Sequence, residues 1–180
     1  MSSDILLVLV VDLSVACLFI GSAARKLADA PTFVAILRAY RLLPAGWIGP
    51  AAVLIIGAEG VLGVAAALGL WLDSQLGLLG LAGLLLLYAL AIGINIARGN
   101  TAIDCGCAFG PGTDALDWSL VLRNILIAAA AWAVAVIPIH QRPLLAADWI
   151  AASGALGTAI MLYLATGYFF ALGAMKRKEQ

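Results

Sequence analysis

Charged residues are scarce in this chain of 180 residues: Asp, Glu, Lys and Arg make up 11% of it, against about 25% in soluble domains. The ten basic and ten acidic residues cancel, and they lie mostly between apolar runs rather than in one patch. The lack of a basic patch leaves no basis for nucleic-acid binding. Apolar residues are abundant instead, at 64% of the chain with a mean hydropathy of +1.10, which predicts an integral membrane protein in a lipid bilayer.

Five apolar runs are long enough to cross roughly 30 Å of hydrocarbon as helices. They are Ile5 to Ala24, Pro50 to Leu72, Leu76 to Ala97, Trp118 to Ile137, and Ile150 to Leu172. Lipid offers no partner to backbone N–H and C=O groups, so each span should be helical. The sequence therefore predicts an all-α, polytopic transmembrane helix bundle, with residues 1–180 forming a single integral membrane domain.

The segment between the first two spans has the spacing of an amphipathic helix. Its apolar residues recur at i, i+3, i+4 and i+7, at Phe33, Ile36, Leu37 and Tyr40. Arg38 and Arg41 fall elsewhere on the helical wheel, which predicts a helix that lies in the membrane interface and is ended by Pro44. Such a helix could be a simple connector or a lid over a site in the bundle, and both interpretations stay open.

Cysteine is also scarce, and two of the three copies stand one glycine apart, in Asp104-Cys105-Gly106-Cys107 after the third span. Cα atoms two residues apart are separated by at most about 7 Å, whereas a disulfide prefers roughly 4.4–6.8 Å, so a bridge needs a turn. Gly106 permits a turn, and strain in so small a ring would make the disulfide easier to reduce. The residues alone leave open a redox pair, half of a metal site, or two structural thiols.

A metal site lacks ligands. A closed zinc site needs four nitrogen or sulfur ligands, and the only histidine, His140, follows the fourth span, on the face opposite the cysteine loop. We therefore expect no metal. Cys17 lies in the middle of the first span, where packing is the expected role of a cysteine.

Polar residues inside the spans are functional candidates because their burial in lipid is costly. Glu59 lies near the middle of the second span and needs either a partner or a proton; a functional role and simple pairing between helices both stay open. Arg123 lies near the rim of the fourth span, where its side chain can reach the headgroups. Asp12, Asn95 and Asn124 are further polar groups within the spans.

Several segments of the chain together match a known pattern. They are YRLLP at residues 40–44, Glu59 in the next span, INIARG at 94–99, DCGCAFG at 104–110 and WSLVLRN at 118–124. In these segments the chain resembles the methylamine-utilisation protein MauE family. The resemblance implies a bacterial inner-membrane protein that is needed to mature methylamine dehydrogenase, a periplasmic quinoprotein whose small subunit is rich in disulfides.

The resemblance also implies the chemistry. It assigns thiol–disulfide exchange to Cys105 and Cys107, with a MauD-like thioredoxin-fold protein as partner and the dehydrogenase small subunit as client. Similarity to DoxX-like and vitamin K epoxide reductase-like membrane redox proteins implies a quinone as candidate cofactor. This chain has C-x-C rather than C-x-x-C and no second cysteine pair in its first loop, so the partner would supply the shuttle cysteines. The residues expected to support the pair are Asp104, Gly106, Glu59 and Arg123.

The orientation in the membrane is where charge and resemblance disagree. Most basic residues lie on the face of the cysteine loop, whereas the opposite face has only Arg142. The positive-inside rule then predicts a cytoplasmic cysteine loop. A periplasmic client implies a periplasmic loop, and we follow the family.

Two other functions fit parts of the sequence. A non-enzymatic membrane scaffold that docks and stabilises the thioredoxin-like partner would use the same small-residue helix faces and amphipathic segment. A small transporter built around Glu59 would need paired, broken-helix repeats, and the five predicted spans show no obvious ones.

Overall fold

A computed structural model describes residues 3–69, 75–103, 116–136, 139–140, 145–158 and 161. Its main elements are helices, as backbone groups in lipid require. We number them α1 (Ile5–Ala28), α2 (Ala30–Tyr40), α3 (Ile48–Ala67), α4 (Leu76–Ala97) and α5 (Trp118–Val136). Residues 146–158 are also helical, and a short 3₁₀ turn, Ala45–Trp47, precedes α3.

Four of these helical stretches are long and apolar enough to cross a membrane: Val8–Ala28, Ala45–Ala67, Leu76–Ala97 and Trp118–Val136. They confirm a multi-pass, all-α architecture and four of the predicted spans. The second begins before Pro50, where the sequence predicts its start. A proline fits in the first turn of a helix, because the N–H that it lacks would have no intrahelical partner there. The fifth predicted span lies largely outside the described residues.

The predicted amphipathic helix is confirmed as α2, with a different end. Asp29 caps its start by accepting a hydrogen bond from the Thr32 N–H at 3.2 Å. The helix ends at Tyr40 rather than at Pro44, because Arg41 adopts a left-handed conformation with φ 51°. Phe33 and Tyr40 are buried against the bundle, so the predicted apolar face does point inward.

The core lies between α1, α4 and α5. Its buried members include Val8, Val15, Phe19, Leu81, Leu85 and Ala131. Helix α4 packs along α5, and α1 packs along α3, which also contacts α4. A two-residue parallel pairing of Ser3–Asp4 (β1) with Ile139–His140 (β2) brings the start of α1 and the end of α5 together. The segment between α4 and α5 is therefore at the opposite end of the bundle, which we call the loop end.

Candidate functional site

The cysteine pair predicted from the sequence lies outside the described residues, together with Asp104 and Gly106. The chain is described up to Ile103 and again from Leu116. The two sides of this gap are joined by a backbone hydrogen bond, in which the N–H of Leu116 donates to the Thr101 carbonyl at 2.9 Å. This bond brings the two ends of the cysteine segment next to each other.

The two ends also share an apolar contact with α2. Leu116 is buried with Tyr40 of α2 and Ile92 of α4, and Ile103 packs against the same group. Apolar side chains in mutual contact are removed from water, which stabilises the junction. The cysteine segment thus begins and ends at one place, the loop end of the bundle beside the last turn of α2.

Glu59 forms the centre of a second polar group, inside the bundle. Its side chain is 0% exposed, and its Oε1 atom accepts a hydrogen bond from Lys26 Nζ at 2.5 Å and one from the Tyr88 hydroxyl at 2.6 Å. A longer contact comes from Ser22 Oγ at 3.4 Å. The structure therefore supplies the interhelical partner that a carboxylate at this depth requires, and it joins α1, α3 and α4.

Aromatic rings cover the cation of this pair. Lys26 Nζ lies 5.0 Å from the centroid of the Phe33 ring and 5.2 Å from that of Tyr88. These distances are within the range of cation–π attraction. Because Phe33 belongs to α2, this helix covers the buried ion pair as well as the junction of the cysteine segment. Both roles that the sequence leaves open for α2, connector and lid, fit this position.

Sequence reasoning missed three members of this group. Lys26 was counted among the basic residues of the loop end, but it is 6% exposed and paired inside the bundle, so it adds nothing to the surface charge there. Two signals were available: Ser22 and Lys26 are four residues apart on one helix face, and Tyr88 interrupts a run of leucines and alanines.

Asp12 and Asn124 are two further buried polar residues that lack full pairing among the described residues, and Gln75 Oε1 is another buried atom without a partner there. Asp12 is 1% exposed, and neither of its carboxylate oxygens has a hydrogen-bond partner among the described residues. The Nδ2 of Asn124 is likewise buried without a partner in the described part of the chain. Both residues are therefore buried polar groups within helices long and apolar enough to cross the membrane, as the sequence predicts.

Three further candidates lie on α5, α1 and β2. Arg123 is half-buried in the second turn of α5. Cys17 is exposed on the surface of α1, so the prediction that it packs inside the bundle is wrong. His140 pairs through β2 with the N-terminal strand, away from the loop end, and no group of three or more His, Cys, Asp or Glu side chains within the described ranges could hold a metal.

Comparison with known proteins identifies the family to which this chain is related. Residues 5–136 match the family model described as methylamine utilisation protein MauE. The methylamine utilization protein MauE of Paracoccus denitrificans is 32% identical over 161 residues, or 88% of this chain and 84% of the relative. The methylamine utilization protein MauE of Methylophilus methylotrophus is 31% identical over 182 residues, or 99% of this chain and 93% of the relative. That of Methylorubrum extorquens is 36% identical over 118 residues, which is 66% of this chain and 62% of the relative.

No solved structure matches this chain. The family match covers four of the spans and includes every residue of the Glu59 group as well as the cysteine motif. The chain is a multi-pass membrane protein that belongs to the MauE family of methylamine utilisation proteins.

Proposed function

We propose that this protein is a membrane thiol–disulfide maturation factor whose Cys105–Cys107 pair exchanges with a MauD-like thioredoxin-fold partner during maturation of methylamine dehydrogenase. The observation that carries the proposal is the Leu116 to Thr101 backbone bond beside Tyr40. This bond anchors both ends of the segment that contains the two cysteines. An anchored pair at the end of a membrane bundle suits exchange with a partner tethered to the same bilayer, since tethering raises the effective concentration of the partner.

The exchange balances as a two-electron reaction. A partner thiolate attacks one sulfur of the Cys105–Cys107 disulfide, a mixed disulfide forms, and the other cysteine leaves as a thiolate. The second partner thiol, after losing its proton, breaks the mixed disulfide and closes the partner's own bridge. Two electrons have then passed to Cys105 and Cys107, and two protons have moved from the partner thiols to this pair or to water.

A quinone is the acceptor class proposed for these electrons; when bound, it takes up two electrons and two protons. The Glu59 group fits a quinone in its chemistry, because the buried Oε2 has no hydrogen-bond partner among the described residues. The neighbouring Tyr88 and Phe33 rings offer aromatic surface. In this proposal Glu59 Oε2 passes protons to and from the acceptor, and Lys26 keeps the carboxylate oriented through Oε1.

The test replaces Cys105 and Cys107 with Ser, singly and together, in a strain that makes methylamine dehydrogenase. Mature dehydrogenase should fall to background in every variant, and no variant should form a mixed disulfide with a partner whose second cysteine is Ser, because the Cys105–Cys107 disulfide that the partner thiolate attacks is gone. Cys17→Ser is the matched control and should leave maturation intact, since this thiol lies on the outer surface of α1.

The scaffold hypothesis makes the opposite prediction. If the double Ser variant matures the dehydrogenase normally, the protein acts by docking its partner, and exchange through this pair is excluded. For the redox proposal to apply to a periplasmic client, the loop end must face the periplasm of a bacterial inner membrane. Among the described residues four exposed arginines, Arg25, Arg38, Arg41 and Arg98, lie at this end, so the orientation is decided by a direct measurement.

A further inference from the structure

The end of α4 has an unusual cap that reaches a distant helix. Gly99 adopts a left-handed conformation with φ 73°, its N–H donates to Ile96 O at 2.9 Å, and the Asn100 N–H donates to Asn95 O at 2.9 Å. This pair of bonds is a Schellman motif, in which the residues at C3 and C″ normally make an apolar contact. Here both positions are asparagine.

The Asn100 amide uses both of its N–H groups at this junction. Nδ2 donates to Asn95 Oδ1 at 2.9 Å and to Ala39 O, in the last turn of α2, at 3.0 Å. The last carbonyls of a helix have no intrahelical partner, so Asn100 caps α2 while it closes α4. Asn95 is 0% exposed and is itself held by a bond from its Nδ2 to Ala91 O at 3.0 Å.

This arrangement lies immediately before the cysteine segment. Thr101, the next residue, accepts the Leu116 N–H that closes the segment. We propose that Asn100 is a positioning residue, which fixes the start of the cysteine segment, at Thr101, beside α2 and thereby speeds exchange with a protein dithiol. The inference rests on the proposed function for its consequence, but the anchoring can be measured without any redox step.

The anchoring is tested by spin labels on Arg38→Cys and Ala102→Cys, two exposed sites on α2 and next to the junction, with Cys17, Cys105 and Cys107 replaced by Ser. Double electron–electron resonance spectroscopy gives the distribution of distances between the two spin labels. Asn100→Asp should broaden this distribution, because a carboxylate cannot donate to Asn95 Oδ1 or Ala39 O. A distribution as narrow as that of the parent chain would overturn the inference.

Two further variants keep the test decisive. Gly99→Ala strains the left-handed cap that presents the Asn100 side chain, while its Cβ meets nothing within 4 Å, so it should loosen the same bonds and broaden the distribution as Asn100→Asp does. Asn124→Ala is the matched control, a buried asparagine whose Nδ2 has no partner among the described residues, and it should leave the distribution unchanged.

The consequence is measured with native cysteines. Formation of a mixed disulfide between the oxidised pair and a single-cysteine thioredoxin should slow about tenfold in Asn100→Asp, since misplacement of reacting groups is costly. Alkylation of the reduced pair by iodoacetamide should keep its rate. Unchanged exchange alongside a broadened distribution would make Asn100 merely structural and overturn its positioning role. Absence of exchange in the parent chain would contradict the proposed function, and the spin labels would still decide the anchoring.

Discussion

At the scale of single residues, the main feature is a charge pair inside a membrane bundle. Moving a carboxylate and an ammonium out of water costs several kcal/mol per ion, and close pairing with additional hydrogen bonds is needed to offset this cost. Glu59 meets the condition on one oxygen, where the Lys26 and Tyr88 donors converge, and leaves the other without a partner among the described residues. The pair therefore tolerates the loss of both charges far better than the loss of one.

Lys26→Met should lower the free energy of unfolding by about 3–5 kcal/mol, because it leaves the Glu59 charge buried and unpaired. The double variant Lys26→Met with Glu59→Met should recover much of that loss. Urea or thermal unfolding in detergent, followed by circular dichroism, measures both. Arg25→Met is the matched control on the exposed side of the same helix turn, and its effect should stay within about 1 kcal/mol. A double variant less stable than Lys26→Met would contradict this account.

Tyr88→Phe tests the hydroxyl separately from the ring. The ring near Lys26 remains, but the 2.6 Å bond to Glu59 is lost, so the free energy of unfolding should drop by about 1.5–3 kcal/mol. In the Lys26→Met background the effect should differ by at least about 0.5 kcal/mol, since both side chains act on the same oxygen. Strict additivity in a double-mutant cycle would show that the two donors act independently.

At the scale of elements, glycines on one face of α4 set how closely it approaches α3. A Cβ on Gly77 would overlap the Ala66 backbone nitrogen, which cannot move without shifting α3. A Cβ on Gly80 would meet only the flexible end of Leu62, at 2.6 Å. Gly83 points to open space. Close backbone approach is a common way for membrane helices to associate, because lipid supplies no hydrophobic driving force between them.

Gly77→Ala should therefore destabilise the bundle by about 1–3 kcal/mol through overpacking at the α3–α4 contact. Gly83→Ala, on the same helix with no neighbour in reach, should be neutral or stabilising by up to about 1 kcal/mol, because alanine is the better helix former. Thermal unfolding of the two variants in the same detergent compares them directly. Equal effects would mean that the α3–α4 approach is looser than the structure has it.

At the scale of the whole molecule, the question is which side of the membrane carries the cysteines. The pairing of β1 with β2 places the N-terminal strand and the end of α5 together, as an even number of crossings requires. Lys26 no longer counts toward the charge of the loop end, because it is neutralised by Glu59 inside the bundle. The remaining charge asymmetry still opposes the periplasmic orientation that the proposed client requires.

An impermeant maleimide applied to intact cells after the pair has been reduced should label Cys105 and Cys107 if the loop end is periplasmic. Leu145→Cys, in a chain whose native cysteines are Ser, is an exposed site past α5 at the other end and should be labelled only after lysis. The reverse pattern would place the loop end in the cytoplasm. That result would rule out direct exchange with a periplasmic partner.

The sequence by itself determined that this is a polytopic helical membrane protein, that α2 is amphipathic, and that α4 spans Leu76–Ala97. These properties depend on local facts: the length of each apolar run, and the need of every backbone group in lipid for a partner in its own helix. The end of α2 at Tyr40 is harder to predict from the sequence, because it depends on the left-handed conformation of Arg41. The sequence predicts that Pro44 ends this helix, because proline is the stronger helix-breaking signal.

Only the tertiary structure decided which polar residues meet. Glu59 finds Lys26 33 positions away and Tyr88 29 positions away, and Asn100 reaches Ala39 across 61 positions. Such contacts depend on the rotation and depth of whole helices, which an almost uniformly apolar sequence hardly encodes. The small residues that let α3 and α4 approach, together with the cost of a lone buried charge, select the arrangement in which Lys26 turns inward under α2.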